Sequence, residues 1–190
     1  MDIILASKSP RRQELLRKMG VTDFTVCAPE ADESCPAGLT PEETVRCIAG
    51  KKADAAALLC PPDALVITAD TMVFLDGERL GKPRDERDAL RMLTALSGRV
   101  HSVCTGVTVR CGARREDFTV TTLVRFRDCT QGELLAYIAT GEPMDKAGAY
   151  GIQGRACLFI EGIEGDYYNV MGLPVERLGR ALARFGVALL

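Results

Sequence analysis

The chain has 190 residues, 47% hydrophobic and 26% charged, which suits one ordinary domain or a two-lobed unit with an apolar core that needs no covalent staples. Its 24 basic and 26 acidic side chains give a net charge of −2, so the overall positive field that recruits nucleic acid is excluded, while a local basic cluster can still hold a small anion. No run approaches the ~20 apolar residues of a membrane span, and eight cysteines without a C-x-x-C pair, beside the single histidine His101, exclude a closely spaced zinc site. The N-terminus is apolar only from Ile3 to Ala6, with its positive charges after that run, and does not read as a secretory signal. We therefore expect a cytoplasmic chain whose cysteines are reduced and act as small hydrophobes.

Residues 3–6 read as a short buried strand. Ser9 and Pro10 then open a helix, serine as N-cap and proline in the first helical position; Leu15, Leu16 and Met19 form its apolar face and Gly20 stops it. A second helix begins with the capping box of Thr40 and Glu43, carries Val45, Ile48 and Ala49 at helical spacing to about Leu59, and is halted by Pro61 and Pro62. Residues 64–69 read as a buried strand ending at Asp70, and a hairpin turns at Asp76 and Gly77. Residues 85–96 are helical and closed by Gly98.

Two longer strands follow. Val103, Val107 and Val109 share one parity, Phe118, Val120, Val124 and Phe126 another, and their link contains Gly112. Thr130 and Glu133 form a further capping box for a helix ended by Gly141. Residues 142–154 are glycine-rich and irregular, 156–163 read as a strand, and Gly172, Leu173 and Pro174 lead into a last helix reaching about Phe185. With no repeat, linker or domain boundary, the expectation is one mixed α/β domain over 1–190, with a mixed rather than purely parallel sheet.

Four places carry chemistry. The loop Ser7–Lys8–Ser9 runs into a helix with Arg11 and Arg12 in its first turn, where free N–H groups and the positive dipole end favour an anion such as phosphate. Cations there are locally unfavourable and need such a reason; the segment is not a P-loop. Asp70, followed by Thr71, stands at the expected carboxyl end of a buried strand, where α/β sheets place ligands or where an Asp merely caps a turn. In Leu80–Gly81–Lys82–Pro83 the proline stiffens the loop that presents Lys82. Residues 142–154 form the kind of polar, glycine-broken loop that often carries function. Glu30, Asp32 and Glu33, and Lys51 and Lys52 on the second helix, read from the residues alone as solvated charge.

LASKSPRRQELL, ITADTMV, LGKP, EPMDKAGAYGIQG and NVMGLPV, in this order from Leu5 to Val175, together resemble the Maf family of nucleoside triphosphate pyrophosphatases. The resemblance implies the inosine triphosphate pyrophosphatase-like fold, a long mixed sheet flanked by helices with two lobes and an active cleft, and it implies a homodimer and a divalent metal. Asp70 matches the family's catalytic acid–base residue. Glu33, Lys52 and Lys82 match charged residues of the active cleft, and Arg12, Thr71 and Gln153 match positions linked to substrate choice.

On this reading Ser7, Arg11, Arg12, Thr71 and Gln153 bind substrate. Arg11, Arg12, Lys52 and Lys82 neutralise the triphosphate. Glu33 and Asp70 hold Mg2+ or Mn2+, hard cations suited to carboxylate and phosphate oxygens; the alternative role for Asp70 is to orient or deprotonate the attacking water. The Tyr-Gly-Ile-Gln variant resembles the subgroup acting on dTTP and UTP, with the Gln153 amide pairing with the O–N(H)–O edge of the base and Tyr150 as a stacking wall. The alternatives are the same hydrolase preferring 7-methyl-GTP or CTP, and a nucleotide-binding regulator of septum formation without turnover.

Overall fold

The computed structural model describes residues 1–190. In chain order the elements are β1 (Ile3–Leu5), α1 (Pro10–Lys18), β2 (Thr25–Val26), α2 (Pro41–Ala57), β3 (Leu65–Leu75), β4 (Glu78–Leu80), α3 (Glu86–Leu96), β5 (Val100–Cys111), β6 (Arg114–Phe126), α4 (Gln131–Ile138), β7 (Ile160–Glu164), α5 (Tyr167–Met171) and α6 (Val175–Arg184). Three 3-10 turns, Glu142–Asp145, Ala147–Ala149 and Arg155–Leu158, separate α4 from β7. The strands form one mixed sheet in the order β2-β1-β3-β5-β6-β7, with β4 hairpinned onto β3. β1 pairs in parallel with both β2 and β3, while β3–β4 and β6–β7 are antiparallel. No helix is long and apolar enough to cross a membrane.

The chain divides into two compact units. The first comprises Met1–Asp70, Thr105–Val120 and Gly172–Leu190. Leu5, Leu15, Leu16, Ile48, Leu65, Ile67, Leu173 and Leu178 are completely buried in it. Helix α2 begins with both bonds of the expected capping box: Glu43 N–H donates to Thr40 Oγ1, and Thr40 N–H to Glu43 Oε2. The helix settles directly onto β5, because a Cβ at Gly106 would overlap the backbone carbonyl group of Val45. Thr68 of β3 donates its hydroxyl to the Ala49 carbonyl of the same helix at 2.7 Å, fixing the helix along the strand as well as above it.

The second unit comprises Thr71–Cys104 and Thr121–Met171. Its core gathers Met92, Leu93 and Leu96 of α3, Val124 and Phe126 of β6, Tyr137 of α4, and Tyr150 and Phe159 beyond it. The β3–β4 turn has two residues with positive φ, Asp76 (53°) and Gly77 (82°), as the Asp-Gly pair demanded.

Five elements depart from the sequence expectation. β3 does not end at Asp70 but continues to Leu75, and all but one of its residues are buried; Asp70 stands inside the strand, so its proposed position at a strand end was wrong. The apolar run after Gly154 first winds into a 3-10 turn and becomes a strand only at Ile160. The reason is its burial spacing: Ala156 and Phe159, three apart, face the core while Leu158 is exposed, a helical rather than an alternating pattern. β2 and α5, two and five residues long, were not anticipated. Ser9 occupies the N-cap position of α1 but makes no side-chain cap bond.

His101 is buried against the Phe126 and Tyr150 rings, with Nε2 2.8 Å from the Tyr150 hydroxyl. Burial lowers its pKa from 6.5 to about 4. Between those values the unfolded chain binds more protons than the folded one, so this contribution is complete above pH 6.5 and is lost as pH falls toward 4. Urea denaturation should show an acid loss of up to roughly 3 kcal/mol from this group, and His101→Gln should remove that share of the pH dependence.

Candidate active site

Strand alternation puts Thr68 and Asp70 on one face of β3. Helix periodicity puts Ala49 and Lys52, three residues apart, on one face of α2. The Thr68–Ala49 bond sets the two elements in register, and Lys52 then reaches Asp70: its Nζ lies 2.7 Å from Asp70 Oδ1. The same ammonium is 2.9 Å from Glu33 Oε1. Asp70 is buried, and its Oδ2 has no hydrogen-bond partner.

The loop that carries Glu33 is anchored by the adjacent lysine. Lys51 Nζ bonds Asp32 Oδ2 at 2.8 Å and the Ser34 carbonyl at 2.6 Å. These contacts, with the Ser34 hydroxyl and N–H, hold Asp32 well below the usual carboxylate range, the Lys51 bond contributing most. Two neighbouring lysines on α2 thus clamp the acidic loop from either side of Glu33. The residues had read as solvated charge; their mutual pairing across 17 to 19 positions left no local signal.

The α1 segment meets the same cluster. Arg12 Nη1 donates to the buried Ser7 hydroxyl at 3.1 Å, and Nε donates to the Gly172 carbonyl at 2.8 Å. Burial lowers the Arg12 pKa; Asp70 and Glu33 raise it and Arg11 lowers it, so all four charges share one local field. The guanidinium keeps its proton throughout. The first turn of α1 contains no acidic side chain, so its positive end is not neutralised from within the helix. Ser7, Arg11, Arg12, Glu33, Lys52 and Asp70 are therefore brought together within the first unit.

Thr71, Lys82 and Gln153 belong to the second unit. Thr71 follows Asp70 in β3 and is half-buried. Lys82 is exposed on the loop between β4 and α3, where Pro83 is buried beneath it. That loop is tied to the glycine-rich segment by the Gly148 N–H, which donates to the Gly81 carbonyl at 3.0 Å. Gln153 is exposed on a turn closed by the bond from Gly154 N–H to the Gly151 carbonyl at 3.0 Å. Tyr150 is a correction: it is buried against Phe126 and bonded to His101, so it supports the loop from the core and cannot serve as a stacking wall for a base.

No group of three or more His, Cys, Asp or Glu side chains clusters anywhere in the chain. Mg2+ sites ordinarily use one or two carboxylates completed by substrate phosphates and water. Glu33 and Asp70, with a buried, unpartnered oxygen on Asp70, fit that kind of site.

The family model described as Maf-like protein matches residues 2–185. A dTTP/UTP pyrophosphatase from Bacillus velezensis is 49% identical over 185 residues, covering 97% of this chain and 97% of that protein. A protein of the same name from Dictyoglomus turgidum is 48% identical over 192 residues, covering 100% and 98%. Among solved structures, a Staphylococcus aureus Ham1 protein aligns over 98% of this chain and 100% of its own, with a TM-score of 0.55 and 16% identity, a likeness of fold alone.

The ion pair makes a stability prediction. Lys52→Met strands a carboxylate whose side chain is 11% exposed. Since Lys52 itself is 20% exposed, the loss should fall short of that for a fully buried pair, about 1–3 kcal/mol in urea denaturation. The double variant Lys52→Met/Asp70→Asn should recover most of it, because the stranded charge is gone.

Proposed function

This chain belongs to the Maf family, and we propose that it hydrolyses dTTP and UTP between the α- and β-phosphates with Asp70, Lys52 and Glu33 as its reacting centre. The products are the nucleoside monophosphate and pyrophosphate. Relatives named for this activity match nearly the whole chain at about half its residues. The observation that carries the assignment of the centre is Asp70: a buried carboxylate in the middle of a strand, one oxygen paired to Lys52 and the other without a partner, in the field of Arg12.

Each residue has a distinct task. Arg12, oriented by Ser7 and the Gly172 carbonyl, presents fixed positive charge to phosphate oxygens. Arg11 and the uncapped end of α1 add to that field, and Lys82 neutralises further phosphate charge. Asp70 Oδ2 accepts a hydrogen bond from the attacking water and takes up its proton as the new P–O bond forms. Lys52 holds Asp70 oriented for this, and Glu33 shares the ammonium so that its position is fixed from two sides. Asp70 and Glu33 would also hold a divalent cation. When bound, such an ion supplies charge neutralisation on the phosphates and a lower pKa for water. Gln153 reads the base, its amide matching the N3–H and one carbonyl of uracil or thymine, and Thr71 is assigned to the same substrate choice. A cytoplasmic homodimer belongs to this reading on grounds of family alone.

Incubation with UTP should release UMP and pyrophosphate in equal amounts; UDP and phosphate would sink the assignment of the cleaved bond. Asp70→Asn keeps the shape and removes the basic oxygen. It should fold normally and lose on the order of 10³-fold or more in kcat; retention of half the activity would remove Asp70 from the chemistry. Excess chelator should abolish turnover, and Mg2+ or Mn2+ should restore it. Full activity in chelator would show that the carboxylates act without a metal.

A further inference from the structure

The turn that presents Gln153 is held from below by a pair of side chains that the reaction itself does not use. Tyr137 of α4 is buried, its ring edge-on to Phe159. Its hydroxyl donates to Glu142 Oε1 at 2.9 Å and accepts the Gly151 N–H at 3.3 Å. The other carboxylate oxygen, Oε2, accepts the Arg155 N–H at 3.0 Å. Between these two anchors the carboxylate lies flat against Gly154, so closely that a Cβ there would overlap it. The stem of Lys146 covers Gly151 in the same way, and its ammonium donates to the Glu142 carbonyl at 2.9 Å. Both ends of the Ile152–Gln153 dipeptide are therefore fixed to one hydrogen-bonded pair, while the Gln153 side chain is exposed.

We infer that Tyr137 and Glu142 are positioning residues for nucleobase discrimination, which sets the Gln153 amide where it meets uracil and thymine and not cytosine. This rests on the assignment of base reading to Gln153. The chemical demand is specific. An amide presents a donor and an acceptor, and uracil and cytosine exchange those roles at N3 and C4, so discrimination depends on the amide being unable to turn over or shift. The glycines at 151 and 154 allow the carboxylate and the lysine stem to press directly on the backbone, which removes the freedom that a turn of this composition would otherwise have. An anchor of this kind acts on where the base sits, not on the phosphate centre, so its removal should weaken recognition of the preferred base before it slows chemistry.

The test measures kcat/KM for UTP and CTP on the full-length chain with saturating Mg2+, in the wild type, Glu142→Gln, Tyr137→Phe, Gln153→Ala and the double variant Glu142→Gln/Gln153→Ala. Glu142→Gln and Tyr137→Phe should each reduce the UTP-to-CTP ratio by on the order of tenfold, mostly through a raised KM for UTP. The double variant should show no narrowing beyond Gln153→Ala alone, because the anchor has nothing left to position. A purely structural role predicts a different pattern: a lower thermal midpoint, a proportional loss for both nucleotides and an unchanged ratio. That pattern, with Gln153→Ala still narrowing the ratio, overturns this inference alone. If Gln153→Ala itself leaves the ratio unchanged, the base-reading assignment fails and the anchoring role fails with it. Should Glu142→Gln not fold, Tyr137→Phe decides the matter by itself, since it removes a single oxygen from a packed ring.

Discussion

A carboxylate in the middle of a buried strand sets the terms for the first unit. Asp70 interrupts an eleven-residue strand in which every residue but Thr71 is buried, and an isolated charge there would be expelled or neutralised. Lys52 is the answer, and it constrains much else. Its helix must lie close enough for a lysine to reach, which Gly106 permits by letting α2 rest on β5. It must also lie at the right height along β3, which the Thr68–Ala49 bond fixes. The start of that helix is set by a complete capping box. The loop before it is folded back by Lys51, which delivers Glu33 to the same ammonium. The cluster is thus built from elements of regular structure with one clamped loop, an arrangement suited to holding charges in a fixed geometry.

The second unit solves a different problem with different means. It must present an exposed loop in one conformation, and the loop is rich in glycine. Its rigidity is borrowed from the core: Tyr150 plugs the segment into the cluster around His101 and Phe126, and Gly148 bonds the loop that carries Lys82. Tyr137 and Glu142 then hold the last turn. Buried aromatic hydroxyls that find partners are anchors in this sense, combining large apolar contact with one directional bond. Burial raises the pKa of both tyrosines, Glu142 adding to the effect at Tyr137, so these hydroxyls keep their protons at neutral pH.

Where the sequence was legible, the signal was local. Capping boxes at Thr40 and Thr130, the Asp76–Gly77 turn and the Gly112 link are specified by residues within a few positions, and each stands where expected. The expectation for Asp70 was wrong in its setting, because a charge at the end of an apolar run looks like a terminus until its partner 18 residues upstream is known. Read from the residues alone, Lys51, Asp32 and Glu33 failed to declare themselves for the same reason, and Glu33 stood out only through the family resemblance. Tyr150 failed in the opposite direction: an aromatic in a polar loop suggested a surface for stacking, whereas its neighbour across the core is the only histidine in the chain, 49 residues away. Neither alternation nor capping carries information about such pairs; only the packed structure does.

The Lys52–Asp70 pair also separates stability from function. A hydrophobic pair of similar volume in the same place would be as stable or more so, since the cost of desolvating two charges is rarely exceeded by their attraction. The apolar environment gains nothing from an acid with one oxygen unpartnered. Folding alone therefore gives no account of Asp70. The proposed chemistry does: a carboxylate fixed by a strand on one side and a lysine on the other, near an arginine held by its own bonds, can meet developing charge without rearranging. The same features that make the cluster costly to bury make it ready to act, and the dense packing of α2 against β3 and β5 is what keeps that cost from unfolding the unit around it.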